Sequence, residues 1–280
     1  MKSIGVIGAG TMGNGIAHVA SLSGFKVVMI DLNQDCLDRG LSIIKKNMQR
    51  QVNKEKISIL DMENSLHRIS ASTDFKMLEN VDMVIEAATE NPEVKKNIFT
   101  SIIDICNENT ILATNTSSIS IDSLASICKN PDKMIGMHFM NPVPLMSLVE
   151  VIIGSETSSS TEKIVLEVAK KMGKVPVVCN DSPGFVANRI LIPMINEAIF
   201  TYEEGVATVE AIDKIMTLGM NHPMGPLKLA DLIGLDVVLY ICNILHQDFN
   251  DDKYKPSQLL VDMVDRGHLG YKSGQGFYKY

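Results

Sequence analysis

Residues 136–152 read GMHFMNPVPLMSLVEVI and set an imidazole, His138, and a carboxylate, Glu150, in otherwise apolar runs. Each run reads as a buried strand, where either group is costly without a partner. The two prolines of MNPVPLMS prevent one continuous strand, so the chain is expected to turn back on itself. Leu148, Glu150 and Ile152 then share one face of the second strand, and an antiparallel return brings Glu150 to His138. A carboxylate accepting from one imidazole nitrogen fixes the tautomer and leaves the other nitrogen for a proton. That is a base with its orienter, although a buried structural pair has the same spacing. Ser117, in NTSS (115–118), follows the apolar run Ile111–Thr114. Ligands of open parallel sheets sit beyond the carboxyl ends of strands, which makes Ser117 a substrate-contact candidate. The same tetrapeptide also reads as a cap for the next helix.

These residues need a scaffold, and the N-terminus supplies its signature. Ile4–Ile7 ends in Gly8-Ala9-Gly10-Thr11-Met12-Gly13, a G-x-G-x-x-G pattern between a strand and a helical stretch that ends at Gly24. Gly8 permits the tight turn, Gly10 lets a pyrophosphate approach the backbone, and Gly13 lets the helix pack on the sheet. The free N–H groups of that helix's first turn, which includes Thr11 and Met12, favour phosphates. Asp31 closes the second strand (Phe25–Ile30) and is placed to accept from a ribose hydroxyl. It would repel a 2′-phosphate, so NAD is favoured over NADP as cofactor.

Further strands are expected at Val81–Glu86, Ile111–Thr114 and Val175–Cys179, alternating with helices near 35–51, 92–106, 121–128 and 162–172. This rhythm predicts an α/β fold, a Rossmann-type mostly parallel sheet with helices on both faces. After DSPG (181–184) only helices are expected, over 185–204, 208–218, 226–245 and 256–266. The division is therefore an NAD-binding domain over 1–183 and an all-helical C-terminal domain over 184–280, a candidate for substrate binding and dimerisation. The 280 residues fit two domains. A net charge of −7 without a basic stripe argues against nucleic acid. No apolar run is long enough for a membrane span, and five cysteines with no C-x-x-C pair suit free thiols in a reducing compartment. The expected molecule is soluble and cytoplasmic. No histidine or cysteine cluster predicts a metal. His18 is expected near the surface or packing edge of the first helix.

Taken together, VIGAGTMGNGIA (6–17), VIEAATE (84–90), ILATNTSS (111–118), the His138 segment, DSPGFVANRILIPMINEA (181–198), NHPMGPLKLADLIGLD (221–236) and GYKSGQGFYKY (270–280) resemble the short-chain L-3-hydroxyacyl-CoA dehydrogenases, in particular their bacterial 3-hydroxybutyryl-CoA branch. The resemblance spans the chain. It implies NAD-linked interconversion of a 3-hydroxyacyl-CoA and its 3-ketoacyl-CoA, with His138 as catalytic base and Glu150 as its partner. It further implies that Ser117 bonds the reacting oxygen, that Asn188 lies beside the substrate, and that Glu90, Lys95 and Asn115 are nucleotide-side residues. The basic stretch carrying Arg50 and Lys54 is placed for CoA phosphates, and a homodimer through the helical domain is expected. Thr114 and Met140 stand where the family more often has serine and phenylalanine. Two other readings remain at this point: an NAD-binding protein without turnover, and a dehydrogenase of small hydroxy acids lacking CoA.

Overall fold

The computed structural model describes residues 1–280 and divides into two compact units, Met1–Asp181 and Ser182–Tyr280. The first is built on strands β1 (Ser3–Ile7), β2 (Lys26–Ile30), β3 (Ile69–Ser72), β4 (Met83–Glu86), β5 (Ile111–Thr114), β6 (Met134–Phe139), β7 (Leu148–Ile153) and β8 (Val175–Asn180). They form one sheet in the order β3-β2-β1-β4-β5-β6-β7-β8. Every pairing is parallel except β6 with β7. The connecting helices are α1 (Thr11–Leu22), α2 (Gln34–Asn53), α3 (Ile59–His67), α4 (Pro92–Ile102), α5 (Ile121–Ala125) and α6 (Ser159–Lys171).

Strand alternation sorts the side chains between two faces. Ile4, Val6, Met29, Ile85, Ala113, Met137 and Val151 join residues of α1, α2 and α6 in one continuous apolar core. The opposite alternation carries Glu86, Thr114, His138 and Glu150, aligned by the ladders Glu86↔Thr114, Thr114↔Gly136 and His138↔Glu150. The sheet thus keeps its polar interior groups on one face, at the carboxyl ends of β4, β5 and β6. Side-chain caps fix the helix starts: Asn33 accepts from Cys36 N–H, Asn91 from Val94 N–H, and Ser58 and Asp61 form a reciprocal capping box. Ser120, not the NTSS tetrapeptide, caps α5 by accepting from Ser123 N–H.

The second unit contains α7 (Ala187–Glu203), α8 (Val209–Gly219), α9 (Pro226–Ile233), α10 (Leu235–Phe249) and α11 (Gln258–Asp265) around Ile195, Leu227, Leu235, Val238, Leu245 and Leu260. Two expectations need correction and one strand is not foreseen. The single helix over 226–245 is two, because Gly234 takes φ +105° and the axes of α9 and α10 diverge by 98°. Its apolar periodicity runs through the break, so the sequence pattern hides it. Strand β3, an edge strand of four half-polar residues, has no alternation to announce it. His18 is not at a surface: it is 1% exposed, because α1 is roofed by α2 and α3 and buries residues all round its axis. No single helix is long and apolar enough to cross a membrane.

The C-terminal segment is held by carboxylates. Asp231, on α9, accepts from Phe277 N–H and Tyr278 N–H, both at 2.9 Å. The Tyr278 hydroxyl donates to Asp213, 2.8 Å away, and Asp213 also caps the start of α9 through Leu227 N–H. Burial pushes the Asp231 carboxyl above its ordinary range, against the pull of those donors. Asp231→Ala leaves these amides without their acceptor, and loss of hydrogen bonds to a buried charge costs about 2–4 kcal/mol. Urea denaturation should show a loss of that size; a loss below about 1 kcal/mol would mean that the segment is held by other contacts.

Candidate functional site

The glycine loop shows three different uses of a missing side chain. Gly8 has φ +101°, and a Cβ there would lie 2.5 Å from the Ala87 carbonyl oxygen. A Cβ on Gly13 would lie 1.7 Å from the Gly8 carbonyl oxygen, so strand and helix pack there without room for a methyl group. A Cβ on Gly10 meets no protein atom within 4 Å. Gly10 is therefore not needed small for packing, and the space above it is free for a ligand. Asp31 accepts from Ala9 N–H at 2.6 Å and from Leu32 N–H at 2.7 Å, which ties the end of β2 to the loop.

Gly8, Gly10 and Asp31 line a cavity of about 420 Å³, walled by Ile30, Thr73, Phe75, Ala87, Val94 and Ile98. Leu32 stands at its rim, 92% exposed. An apolar slot beside a carboxylate and a glycine loop fits the adenosine and pyrophosphate of a dinucleotide. Thr11 and Met12 open α1, with Met12 packed against the core beneath the loop.

Across the sheet, His138 and Glu150 lie directly opposite each other in the antiparallel β6–β7 pair. His138 Nδ1 is 2.8 Å from Glu150 Oε2, and both side chains are buried. Asn115 joins this pair to β5: its backbone N–H donates to the Glu86 carbonyl, and its side-chain oxygen accepts from Phe139 N–H at 2.9 Å.

Glu90 organises the NTSS loop. One of its oxygens, Oε1, accepts from the Thr116 hydroxyl (2.7 Å), Ser117 N–H (2.7 Å), the Ser117 hydroxyl (2.9 Å) and the N–H and hydroxyl of Ser118 (both 3.1 Å). Burial alone would raise its carboxyl, but nearby Lys95 and these donors outweigh that and hold it below the ordinary value. Lys95 is itself buried, 1% exposed. Its ammonium lies 2.6 and 2.8 Å from the two oxygens of Glu86 and 3.7 Å from Glu90. Glu86, fully buried, also accepts from the Thr114 hydroxyl at 2.7 Å and from Ala88 N–H at 2.7 Å.

Sequence reasoning did not single out Glu86 or the task of Thr114. A signal was there: a charged residue closes the apolar run VDMVIE, and such a charge demands a partner. It also passed over Lys174, whose buried ammonium donates to the carbonyls of Val143 and Met146 in the loop that follows His138. Burial lowers the Lys174 ammonium from its ordinary range. In the same loop Val143 packs onto Gly15 of α1, where a Cβ would come within 2.8 Å of it.

Not every expected residue is gathered here. Arg50 and Lys54 are exposed at the end of α2, and Arg50 has only a 3.4 Å contact with Asn47. Asn188 is half-buried in the first turn of α7, in the second unit.

The chain matches the 3-hydroxyacyl-CoA dehydrogenase NAD-binding domain over residues 3–182 and the 3-hydroxyacyl-CoA dehydrogenase C-terminal domain over 184–280. It is 56% identical over 276 residues to a probable 3-hydroxybutyryl-CoA dehydrogenase of Deinococcus radiodurans, covering 99% of each chain. It is 50% identical over 277 residues to the 3-hydroxybutyryl-CoA dehydrogenase of Clostridioides difficile, again covering 99% of each. Among solved structures it resembles (S)-3-hydroxybutyryl-CoA dehydrogenase from Ralstonia eutropha, with a TM-score of 0.98 at 48% identity over 100% of this chain and 99% of that one.

The Glu90 carboxyl has a defined acid signature. Its lowered value means that its contribution to stability is complete above the ordinary glutamate value of 4.5 and is lost as pH falls through the lowered one. Glu90→Gln should therefore flatten the acid limb of the stability–pH curve, read as the denaturation midpoint between pH 7 and pH 3. An unchanged acid limb would remove Glu90 as the charged anchor of the serine loop.

Proposed function

Since the chain belongs to the 3-hydroxyacyl-CoA dehydrogenase family and is an NAD-dependent oxidoreductase of 3-hydroxyacyl-CoA, we propose that it interconverts 3-hydroxybutyryl-CoA and acetoacetyl-CoA with His138 as general acid and base. The observation that carries this assignment is the His138 Nδ1–Glu150 contact of 2.8 Å. With Nδ1–H donated to the carboxylate, Nε2 is the nitrogen that exchanges a proton with substrate. In the oxidative direction Nε2 takes the 3-hydroxyl proton as C3 gives up hydride, and Glu150 offsets the charge of the imidazolium that results. In the reductive direction the same nitrogen returns the proton to the carbonyl oxygen. NAD, when bound, supplies the two-electron acceptor or donor for the hydride.

The other assignments follow from residue type and position. Ser117 holds the substrate's reacting oxygen by a hydrogen bond and favours the charge that develops on it, and Asn188 is a substrate-contact residue on the second unit. Gly8, Gly10, Thr11, Met12 and Gly13 receive the cofactor pyrophosphate at the start of α1, and Asp31 binds the adenosine ribose. Glu90, Lys95 and Asn115 shape the nicotinamide side. Arg50 and Lys54 are exposed cations without a carboxylate partner in the ion pairs of this chain, which suits the phosphates of CoA. A homodimer through the helical domain is supported by exposed Val206, Ile215, Leu218 and Met220 on that unit. The free cysteines suit a reducing cytoplasm.

His138→Gln should retain NADH binding, followed by fluorescence, while acetoacetyl-CoA-dependent NADH oxidation falls by about 10²–10⁴-fold. Turnover within a few-fold of the parent would remove His138 from the proton-transfer role. The same assay with free acetoacetate and with NADPH should give far smaller kcat/KM values. Comparable values would overturn, respectively, the CoA reading and the assignment of Asp31.

A further inference from the structure

Glu86 lies outside the residues assigned to the reaction, yet it is the point on which the serine loop hangs. Its carboxylate is fully buried and grips the Lys95 ammonium with both oxygens, at 2.6 and 2.8 Å. The second carboxylate near that ammonium, Glu90, stands at 3.7 Å through Oε2. Its other oxygen, Oε1, is given to Thr116, Ser117 and Ser118. One buried cation thus faces two carboxylates and is held closely by only one. A charge-assisted contact at 2.6 Å is much stronger than one at 3.7 Å. Glu86 therefore draws Lys95 away from Glu90, whose Oε1 accepts from the serine loop. The same carboxylate fixes the end of β5, the strand that leads into the loop, through the Thr114 hydroxyl.

We infer that Glu86 is a positioning residue of the reaction, acting through Lys95 and Glu90 to set the Ser117 hydroxyl. This rests on the reading of Ser117 as a substrate-oxygen ligand. Neutralising Glu86 leaves the buried ammonium with Glu90 as its nearest anion. Lys95 then closes on Glu90 and competes with the Ser117 and Ser118 donors for it. Removing the ammonium as well abolishes the competition.

The test uses the full-length protein with Glu86→Gln, Lys95→Met, Ser117→Ala and their double combinations. Glu86→Gln should lower kcat with acetoacetyl-CoA by about 10- to 100-fold, the size expected for a displaced reacting group. NADH affinity should stay within a few-fold. In the Ser117→Ala background, Glu86→Gln should cost nothing further, because the group it positions is gone. Losses that multiply in that background would mean Glu86 acts only on the fold at large, and would overturn the inference.

A readout independent of turnover follows the Ser117 and Ser118 amides, which donate to Glu90, by NMR on serine-¹⁵N-labelled protein. Their resonances should move in Glu86→Gln and return toward the parent positions in the Glu86→Gln/Lys95→Met double variant. Unmoved resonances would overturn the coupling whatever the kinetics. Should Ser117→Ala itself leave kcat unchanged, the oxygen-ligand role of Ser117 falls, and with it Glu86's part in the reaction; the NMR shifts then report the coupling alone.

Discussion

Burying a charge at the end of a β-strand demands a counter-charge, and this requirement shapes the polar face of the sheet. Glu86 closes β4 with no access to solvent, so the chain must return a cation to it. That cation is Lys95, carried by the first turns of α4, which begin at Pro92. The position of α4 over this face, the path of the loop between Glu86 and Pro92, and the placing of Glu90 all satisfy that ion pair. Glu90 gathers the hydroxyl and amide donors of residues 116–118. His138 and Glu150 answer the same demand two and three strands further along, with an imidazole in place of the ammonium. Two buried carboxylates on neighbouring parts of one face thus take different partners.

Antiparallel pairing of β6 and β7 makes the second arrangement possible. In a sheet whose other pairs are parallel, the strand ends point the same way and their side chains stand in a row. Reversing β7 sets residues at its beginning beside those at the end of β6, so His138 meets Glu150 directly rather than obliquely. The loop that makes the reversal is anchored from β8, through the Lys174 ammonium and through Val175 N–H, which donates to the Ser147 carbonyl at 2.8 Å.

Much of this is legible in the residues, because some patterns admit few structures. Gly8, Gly10 and Gly13 between an apolar strand and a helix leave little room for another fold. An isolated His and Glu, separated by prolines within buried runs, point to a hairpin pairing. Other features escape for physical reasons. Gly234 breaks a helix whose apolar stripe continues on both sides, so periodicity is blind to it. His18 looks peripheral because polar residues on helices usually face water, yet α1 is enclosed by α2 and α3. Glu86 hides within an apolar strand, since its partner lies nine residues away on a different element.

The seat of Val143 on Gly15 has a consequence for how such a chain can change over generations. The helix that opens with the glycine loop and the segment that follows His138 touch here with no slack, a Cβ at position 15 falling 2.8 Å from Val143. Neither position can drift alone. Enlarging residue 15 requires a smaller residue at 143, and the backbone carbonyl of Val143 is meanwhile held by Lys174. The two positions should therefore vary as a linked pair, passing through intermediates of reduced fitness, while the surrounding surface diverges freely.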